Sequence, residues 1–337
     1  VEMHAILAEF GLPLEFPESV LRAAVEIRNG ATEEEIARRR DVRETPTITI
    51  DPDDAKDLDD ALSVRKLENG HWEVGVHIAD VSHYVTPGSV LDMEAASRAT
   101  SVYLVDRVVP MLPEKLSNDL CSLHADTDKL SFSAIFELDD QANIKDEWFG
   151  QTVMRSRRRF AYQEAQAIID GQGEGPYKEE VLLLHRLAQI LRKERIARGA
   201  LEIGGNEVKF KLDADGKPLG VYEKVMGPAN WLIEEFMLLA NKRVATWVNK
   251  NRKGNAAPPF VYRVHDLPDP EKVEQLRALA KSFGHSLRVA QDEDLPHAIS
   301  RLLHDVKGKE EENIIKQVAI RSMAKAVYST ENIGHYG

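Results

Sequence analysis

Cysteine is nearly absent from this chain. Its 337 residues contain one, Cys121, so no internal disulfide can form. That favours a reducing setting, and a cytoplasmic location is expected. Long hydrophobic runs are missing as well. No apolar stretch approaches the roughly 20 residues of a membrane helix, and no secretory leader is visible, so no membrane partner is expected. Positive charge is the minority sign: Lys plus Arg number 44 against 56 Asp plus Glu, a formal net charge of −12. Taken alone, that balance argues against nucleic-acid binding, where affinity comes from neutralising phosphates. Basic clusters do occur, ARRRDVR (37–43), RSRRRF (155–160) and NKNRKG (249–254), and each by itself reads as a solvated face. Internal repeats and low-complexity linkers are also lacking.

What remains is ordinary globular composition, 43% hydrophobic and 30% charged, at a length that can bury a sizeable core. The fold class is read as α+β, one large domain from residue 45 with a mixed or antiparallel sheet, and residues 1–44 as a lead-in. Pro17 marks a helix start before ESVLRAAVEI, and Thr32 with Glu35 forms a capping-box pattern. TPTITI (45–50) is short and β-branched, hence a strand. Asn69-Gly70 between two alternating runs signals a hairpin, and residues 130–157 alternate around the polar turn DDQAN. Helical spacing returns at 161–170, 177–200, 229–251, 270–284 and 311–329, with a hairpin over 207–223 turning at Asp215-Gly216 and a strand at 259–266.

One segment does not fit ordinary loop chemistry. DPDDAKDLDD places six aspartates between Asp51 and Asp60, where a turn needs one. Two carboxylates about 5 Å apart repel by roughly 3 kcal/mol at an effective dielectric near 20. Either the bend is open to water or cations sit there. Hard divalent ions take oxygen ligands, and Mg²⁺ is held by a few carboxylates plus water and phosphate. An EF-hand fails, since its sixth and twelfth positions from Asp51 would be Lys56 and Leu62. A DxD-type nucleotide-sugar transferase site at 57–59 and a plain solvated acidic loop stay open on the residues alone. His77, His83 and His265 lack ligand spacing and read as packing residues.

The segment TITIDPDDAKDLDDALSV resembles the signature of the RNase II/RNase R family, whose catalytic region is the RNB domain. VHIADVSHYV (76–85), ATSVYLVDRVVPMLPEKLSNDLCSL (99–123), LIEEFMLLAN (232–241), YRVHD (262–266) and GHYG (334–337) match in the same order. The lead-in is most similar to the RNase R branch, following a cold-shock domain. The resemblance implies processive 3′→5′ hydrolysis of single-stranded RNA to 5′-mononucleotides with Mg²⁺, one or two ions, Mn²⁺ substituting. It implies catalytic, metal-holding roles for Asp51, Asp57, Asp59 and Asp60. Asp51 and Asp60 would hold the first ion, Asp57 and Asp59 would support a second, and water activated by the metal would attack. Asp53 and Asp54 match no catalytic position and read as turn formers. Tyr103 falls on the tyrosine that stacks on the 3′-terminal base, and Glu234 on a residue that contacts the terminal nucleotide. Arg155, Arg157 and Arg158 are candidates for lining an RNA channel.

The match departs from the family in two places. RGALEIGG (198–205) carries Ile203 where an aromatic residue usually forms the second face of the base clamp. The block rich in Ser, Pro, Ile and Arg that follows GHYG in the family, one of whose arginines contacts the scissile phosphate, is not in the sequence. Nor are the flanking cold-shock and S1 domains, where much of the positive charge is expected. The chain is therefore read as a piece of a longer enzyme, truncated within its RNB domain, with self-association expected from apolar surface left uncovered. The competing readings are an RNA-binding or scaffolding member without turnover and an inactive fragment of the enzyme. The intact aspartate quartet argues against the non-catalytic member.

Overall fold

The computed structural model describes residues 2–28, 30–105, 107–201, 207–213, 217–251, 260–289 and 294–333. Ile203, the Asp215-Gly216 turn and the GHYG stretch lie outside the described residues. The backbone divides into two compact units, Val1–Leu187 with Asn206–Ile233, and Ala188–Gly205 with Glu234–Gly337.

The first unit opens on helices α1 (Glu2–Glu9), α2 (Glu18–Glu26) and α3 (Glu33–Arg38). Pro17 occupies the N-cap of α2, and the Thr32 hydroxyl accepts from the Glu35 N–H at 3.2 Å at the start of α3. The strands β1 (Arg40–Asp41), β2 (Thr47–Asp51), β3 (Asp60–Lys66) and β4 (Trp72–Ala79) follow. The expected hairpin joins β3 to β4, with Gly70 at φ +86°, a conformation only glycine adopts freely. Next come α4 (Val81–Tyr84), α5 (Val90–Arg98), the two-residue strands β5 (Val102–Tyr103) and β6 (Val108–Val109), and a π-helical turn over Lys115–Leu120. Long strands β7 (Asp128–Leu138) and β8 (Ile144–Arg155), then β9 (Arg158–Ala161), complete the main sheet. Its order is β1-β8-β7-β4-β3-β2-β9, antiparallel except where β1 meets β8 and β2 meets β9. Helices α6 (Tyr162–Ile169) and α7 (Lys178–Ala197) and the hairpin of β10 (Glu207–Leu212) with β11 (Pro218–Lys224) come after, followed by α8 (Pro228–Asn251).

The central strands are buried on both faces, so alternation within them separates two kinds of interior. Leu62, Val64, Val74, Val76 and Phe136 fill one side. On the other, Ala61, Ala79, Ile135 and Met154 pack with Val20, Leu91, Leu116 and the buried thiol of Cys121. A polar thread runs through that second side. His77 Nε2 meets the Ser63 hydroxyl at 2.8 Å, Nδ1 meets the Ser133 hydroxyl at 2.7 Å, and Ser133 meets Thr152 at 2.5 Å. Burial pushes the His77 pKa down to about 4, so the ring is neutral and one nitrogen donates while the other accepts. Gly75 makes the room: a Cβ there would lie 2.4 Å from Ser63 Oγ and 2.5 Å from His77 Nε2. Gly75→Ala is expected to cost about 1–3 kcal/mol by overpacking and to lower the urea midpoint correspondingly. An unchanged midpoint would contradict this account of the thread.

In the second unit, β12 (Tyr262–Val264), α9 (Pro270–Ser282), α10 (Leu295–Asp305), α11 (Glu312–Ser322) and β13 (Val327–Ser329) follow in order. Leu276, Ile299, Leu302, Ile315 and Ala319 form the fully buried seam of its helices. Asp269 caps α9 by accepting from the Glu271 and Lys272 N–H groups, and Gly284 at φ +83° follows its end. The helix expected over 311–329 is shorter than its periodicity suggests. It stops at Ser322, Met323 turns extended, and Val327–Ser329 pairs antiparallel with Tyr262–Val264. Strand pairing with a distant segment outweighs local helical preference there. Among the described residues no helix is long and apolar enough to cross a membrane.

Candidate active site

The aspartate segment lies between two strands that part company. β2 and β3 pair only at Thr47↔Ser63 and Ile48↔Leu62. Beyond that point Asp51 is fixed through β9, opposite Ala161, and Asp60 through β4, opposite Ile78. The loop between them is tied down from beneath. Leu58 is plugged into the core, and its carbonyl accepts from the Leu123 N–H at 2.8 Å. The buried Ser122 hydroxyl accepts from Leu58 N at 2.9 Å and donates to Lys56 O at 2.8 Å, so it brackets Asp57 on both sides. Arg159 Nη2 donates to the carbonyls of Pro52 and Asp53 at 2.9 and 2.8 Å. Asp53 and Asp54 are exposed on the rim.

These positions set the electrostatics. Asp51 is buried, and burial first, then the charges of Asp59 and Asp57, push its pKa up to about 6 against the opposing effects of the Thr49 hydroxyl and Arg159. Asp60 rises to about 7, mostly by burial, then by Asp51 and Asp59. Asp59, more open to solvent, is also raised by desolvation and by Asp57. Among the described residues no Lys, Arg or His forms an ion pair with Asp51, Asp57, Asp59 or Asp60. Asp51 Oδ2 and the Thr49 hydroxyl are both buried and form no well-aligned hydrogen bond, although Thr49 is near enough to ease ionisation of Asp51. A buried carboxylate is costly unless something positive meets it. No three side chains of metal-ligating type converge tightly enough, among the described residues, to enclose an ion unaided. Mg²⁺ does not require that, since it keeps several waters and takes one or two carboxylates plus substrate phosphate. The all-oxygen donor set and the buried Asp51 carboxylate without an ion-pair partner fit a hard divalent cation.

Tyr103 is 65% exposed on the β5–β6 ribbon, and its hydroxyl donates to Asp57 Oδ2 at 2.7 Å. That bond, then burial, pushes the phenol up to about 12. Tyr162, at the start of α6, also rises to about 12, by burial and by the charges of Asp60 and Asp51. Sequence reading missed Ser122, Arg159 and Tyr162. Only Arg159 carried a signal, as part of the 155–160 basic cluster.

The other candidates already have protein partners. Arg155 pairs with Asp128 at 2.6 Å. Arg157 donates to Arg43 O at 2.7 Å, and Arg158 donates to Pro176 O at 3.0 Å while lying over the Phe160 ring. In the second unit Glu234 is partly exposed and meets Arg195 at 3.2 Å. Its neighbour Glu235 is the buried one, held by Arg195 at 2.5 Å and Arg192 at 3.4 Å. His83 Nδ1 lies 3.8 Å from Glu35, and His265 Nδ1 lies 3.2 Å from Ala324 O.

Comparison with known proteins bears on the family and the fold. The chain is 39% identical over 344 residues to ribonuclease R of Thermotoga maritima, covering all of this chain and 48% of that protein. It spans about half the length of the curated ribonuclease R relatives it matches. Its fold superposes on Mycoplasma genitalium RNase R in complex with ribose methylated single-stranded RNA, with a TM-score of 0.90, 28% identity, and coverage of 99% of this chain and 52% of that one. Yeast Ssd1, a pseudonuclease, shares the fold at a TM-score of 0.69 and 19% identity, covering 89% of this chain and 36% of that one. A family model for the RNB domain matches residues 39–337, nearly everything after the lead-in helices, and the chain belongs to the RNB domain family.

Proposed function

We propose that this chain is the catalytic part of a processive 3′→5′ exoribonuclease that hydrolyses single-stranded RNA to 5′-mononucleotides, with Mg²⁺ at the aspartate cluster. The observation that carries the reading is the pair Asp51 and Asp60. Both pKa values are raised, to about 6 and about 7, and the buried Asp51 carboxylate has no ion-pair partner among the described residues. Perturbed carboxyls gathered at one loop are a recurrent mark of functional sites. Asp51 and Asp60 would hold one ion, and Asp57 and Asp59 would support a second, Mn²⁺ serving equally. When bound, the ion supplies Lewis acidity, making water a nucleophile near neutral pH and offsetting charge on the phosphoryl oxygens.

The chain's own residues do the rest. β4 and β9 fix the two outer carboxylates, and Ser122 and Leu58 hold the loop between them. The exposed Tyr103 ring offers a face for the 3′-terminal base, a stack worth about 1–3 kcal/mol that accepts any base. The Mycoplasma relative's complex with single-stranded RNA supports RNA as the substrate class. The test is a 5′-labelled oligo(A) incubated with the chain in Mg²⁺ and in EDTA. A product ladder shortening from the 3′ end in Mg²⁺ alone is expected. Full-length oligomer in both conditions would overturn hydrolysis by this chain and favour RNA binding without turnover, the alternative raised by a fold shared with a pseudonuclease.

A further inference from the structure

Asp57 is tied to two distant segments, one through its flanking backbone and one through its side chain. Its backbone is bracketed by the Ser122 hydroxyl, which takes the N–H on one side and the carbonyl on the other. Its side chain is held by a residue 46 positions away, the Tyr103 hydroxyl, through Oδ2 alone. A carboxylate has about four lone-pair directions, so Oδ1 and the rest of Oδ2 stay open to an ion or its water. Tyr103 reaches Asp57 from a short ribbon with its own anchors: Tyr103 pairs with Val108, Leu104 N donates to Arg107 O at 2.8 Å, and Met111 N donates to Ser101 Oγ at 2.9 Å. The ring is solvent-facing while the hydroxyl is engaged. The same side chain therefore presents an aromatic face outward and a hydrogen bond inward.

We propose that Tyr103 is a positioning residue for the ion site as well as a platform for the terminal base. Its hydroxyl orients the Asp57 carboxylate, so that the base-holding ribbon and the ion-holding loop are mechanically joined. This rests on the exoribonuclease reading. Groups that hydrogen-bond to a metal ligand typically alter metal affinity by 10–100-fold when removed. A stacked ring, by contrast, is indifferent to its para hydroxyl. The two roles are thus separable by one atom.

The test compares the parent chain with Tyr103→Phe, Tyr103→Leu and Asp60→Asn. Mg²⁺, and separately Mn²⁺, is titrated calorimetrically into the RNA-free chains. Binding of a short single-stranded oligo(A) is measured in EDTA, and melting temperatures are recorded. Tyr103→Phe is expected to bind Mg²⁺ about 10-fold more weakly while its RNA affinity stays within about twofold and its melting temperature is unchanged. Tyr103→Leu is expected to weaken both bindings. In hydrolysis, Tyr103→Phe should need more Mg²⁺ for half-maximal rate. If Tyr103→Phe binds Mg²⁺ as the parent does while Asp60→Asn does not, the positioning role is wrong and the nuclease reading stands. If the parent binds neither ion and also fails to hydrolyse RNA in Mg²⁺, with Asp60→Asn behaving identically, both fall.

Discussion

An Asp60→Asn chain is expected to lose Mg²⁺-dependent hydrolysis by about 10³-fold, the scale on which removal of one key transition-state group acts, and yet to melt higher than its parent in metal-free buffer above pH 7. Asp60 has a folded-state pKa of about 7 against an ordinary value of 3.8. Between those values the folded chain keeps a proton that the unfolded chain has released. Stability of the metal-free chain therefore falls as pH rises from about 4 to about 7, and the full penalty is present above that window. The rise corresponds to on the order of 4 kcal/mol against the ionised form as a ceiling. Asparagine has the same shape and no charge to desolvate. Each kcal/mol recovered is worth roughly 1–2 °C for a chain of this size. On the proposed reading Mg²⁺ should reverse the ranking, because an ion held by the native parent alone would stabilise it by mass action. Calorimetry at pH 5 and pH 8, with and without Mg²⁺, checks all four corners. A variant that melts below its parent at pH 8 without metal, or one that still digests RNA, would contradict the assignment.

Much of this site could be read from the sequence because its frame is local. The β-branched run before Asp51 and the alternation after Asp60 locate β2 and β3, and the Asn69-Gly70 turn fixes the β3–β4 pairing that holds Asp60. The contacts that fix the loop are not local. Ser122 meets Leu58 across 64 positions, and Tyr103 meets Asp57 across 46. No pattern in either segment announces the other. Charge clusters misled in the same way. Arg155 sits in a run that looks solvated, but the β7–β8 register sets it opposite Asp128. Arg39 sits in ARRR, which reads as a wet surface, and its side chain is only 1% exposed. Burial of a charge is decided by where its partners lie, and one sequence does not state that.

Arg39 carries the second large prediction. It closes the lead-in onto the sheet: Nε meets Glu35 Oε1 at 2.8 Å, Nη2 meets Asp80 Oδ2 at 2.7 Å, and Nη1 approaches Ser131 O at 3.4 Å. The Asp80 side chain is 2% exposed and also accepts from the Ser82 hydroxyl at 2.6 Å. Burial opposes ionisation of both carboxyls, but hydrogen bonds and charge from Arg39, with help from Ser82 at Asp80 and Arg38 at Glu35, bring both below their ordinary range. Arg39→Ala should cost about 3–5 kcal/mol, since it strands buried acids rather than removing a neutral pair. The pH dependence gives the mechanism away. In the parent, depressed carboxyl pKa values stabilise above the ordinary carboxyl range, about pH 4, and that contribution is lost on acidification. In Arg39→Ala, the buried Asp80 without its cation prefers the proton, so the variant gains relative stability as pH falls from 7.5 to 5. Urea unfolding at those two pH values should show a wide gap between the chains that narrows in acid. Adding Asp80→Asn to the variant should recover part of the loss at pH 7.5. Equal midpoints at pH 7.5, or a gap that widens in acid, would refute the network. Asp80 directly follows Ala79, whose N–H bonds Asp59 O at 3.0 Å, and Ile78, which pairs with Asp60. The lead-in therefore secures the end of the strand that holds Asp59 and Asp60, and on the proposed reading loosening Arg39 should lower hydrolysis without any contact between Arg39 and RNA.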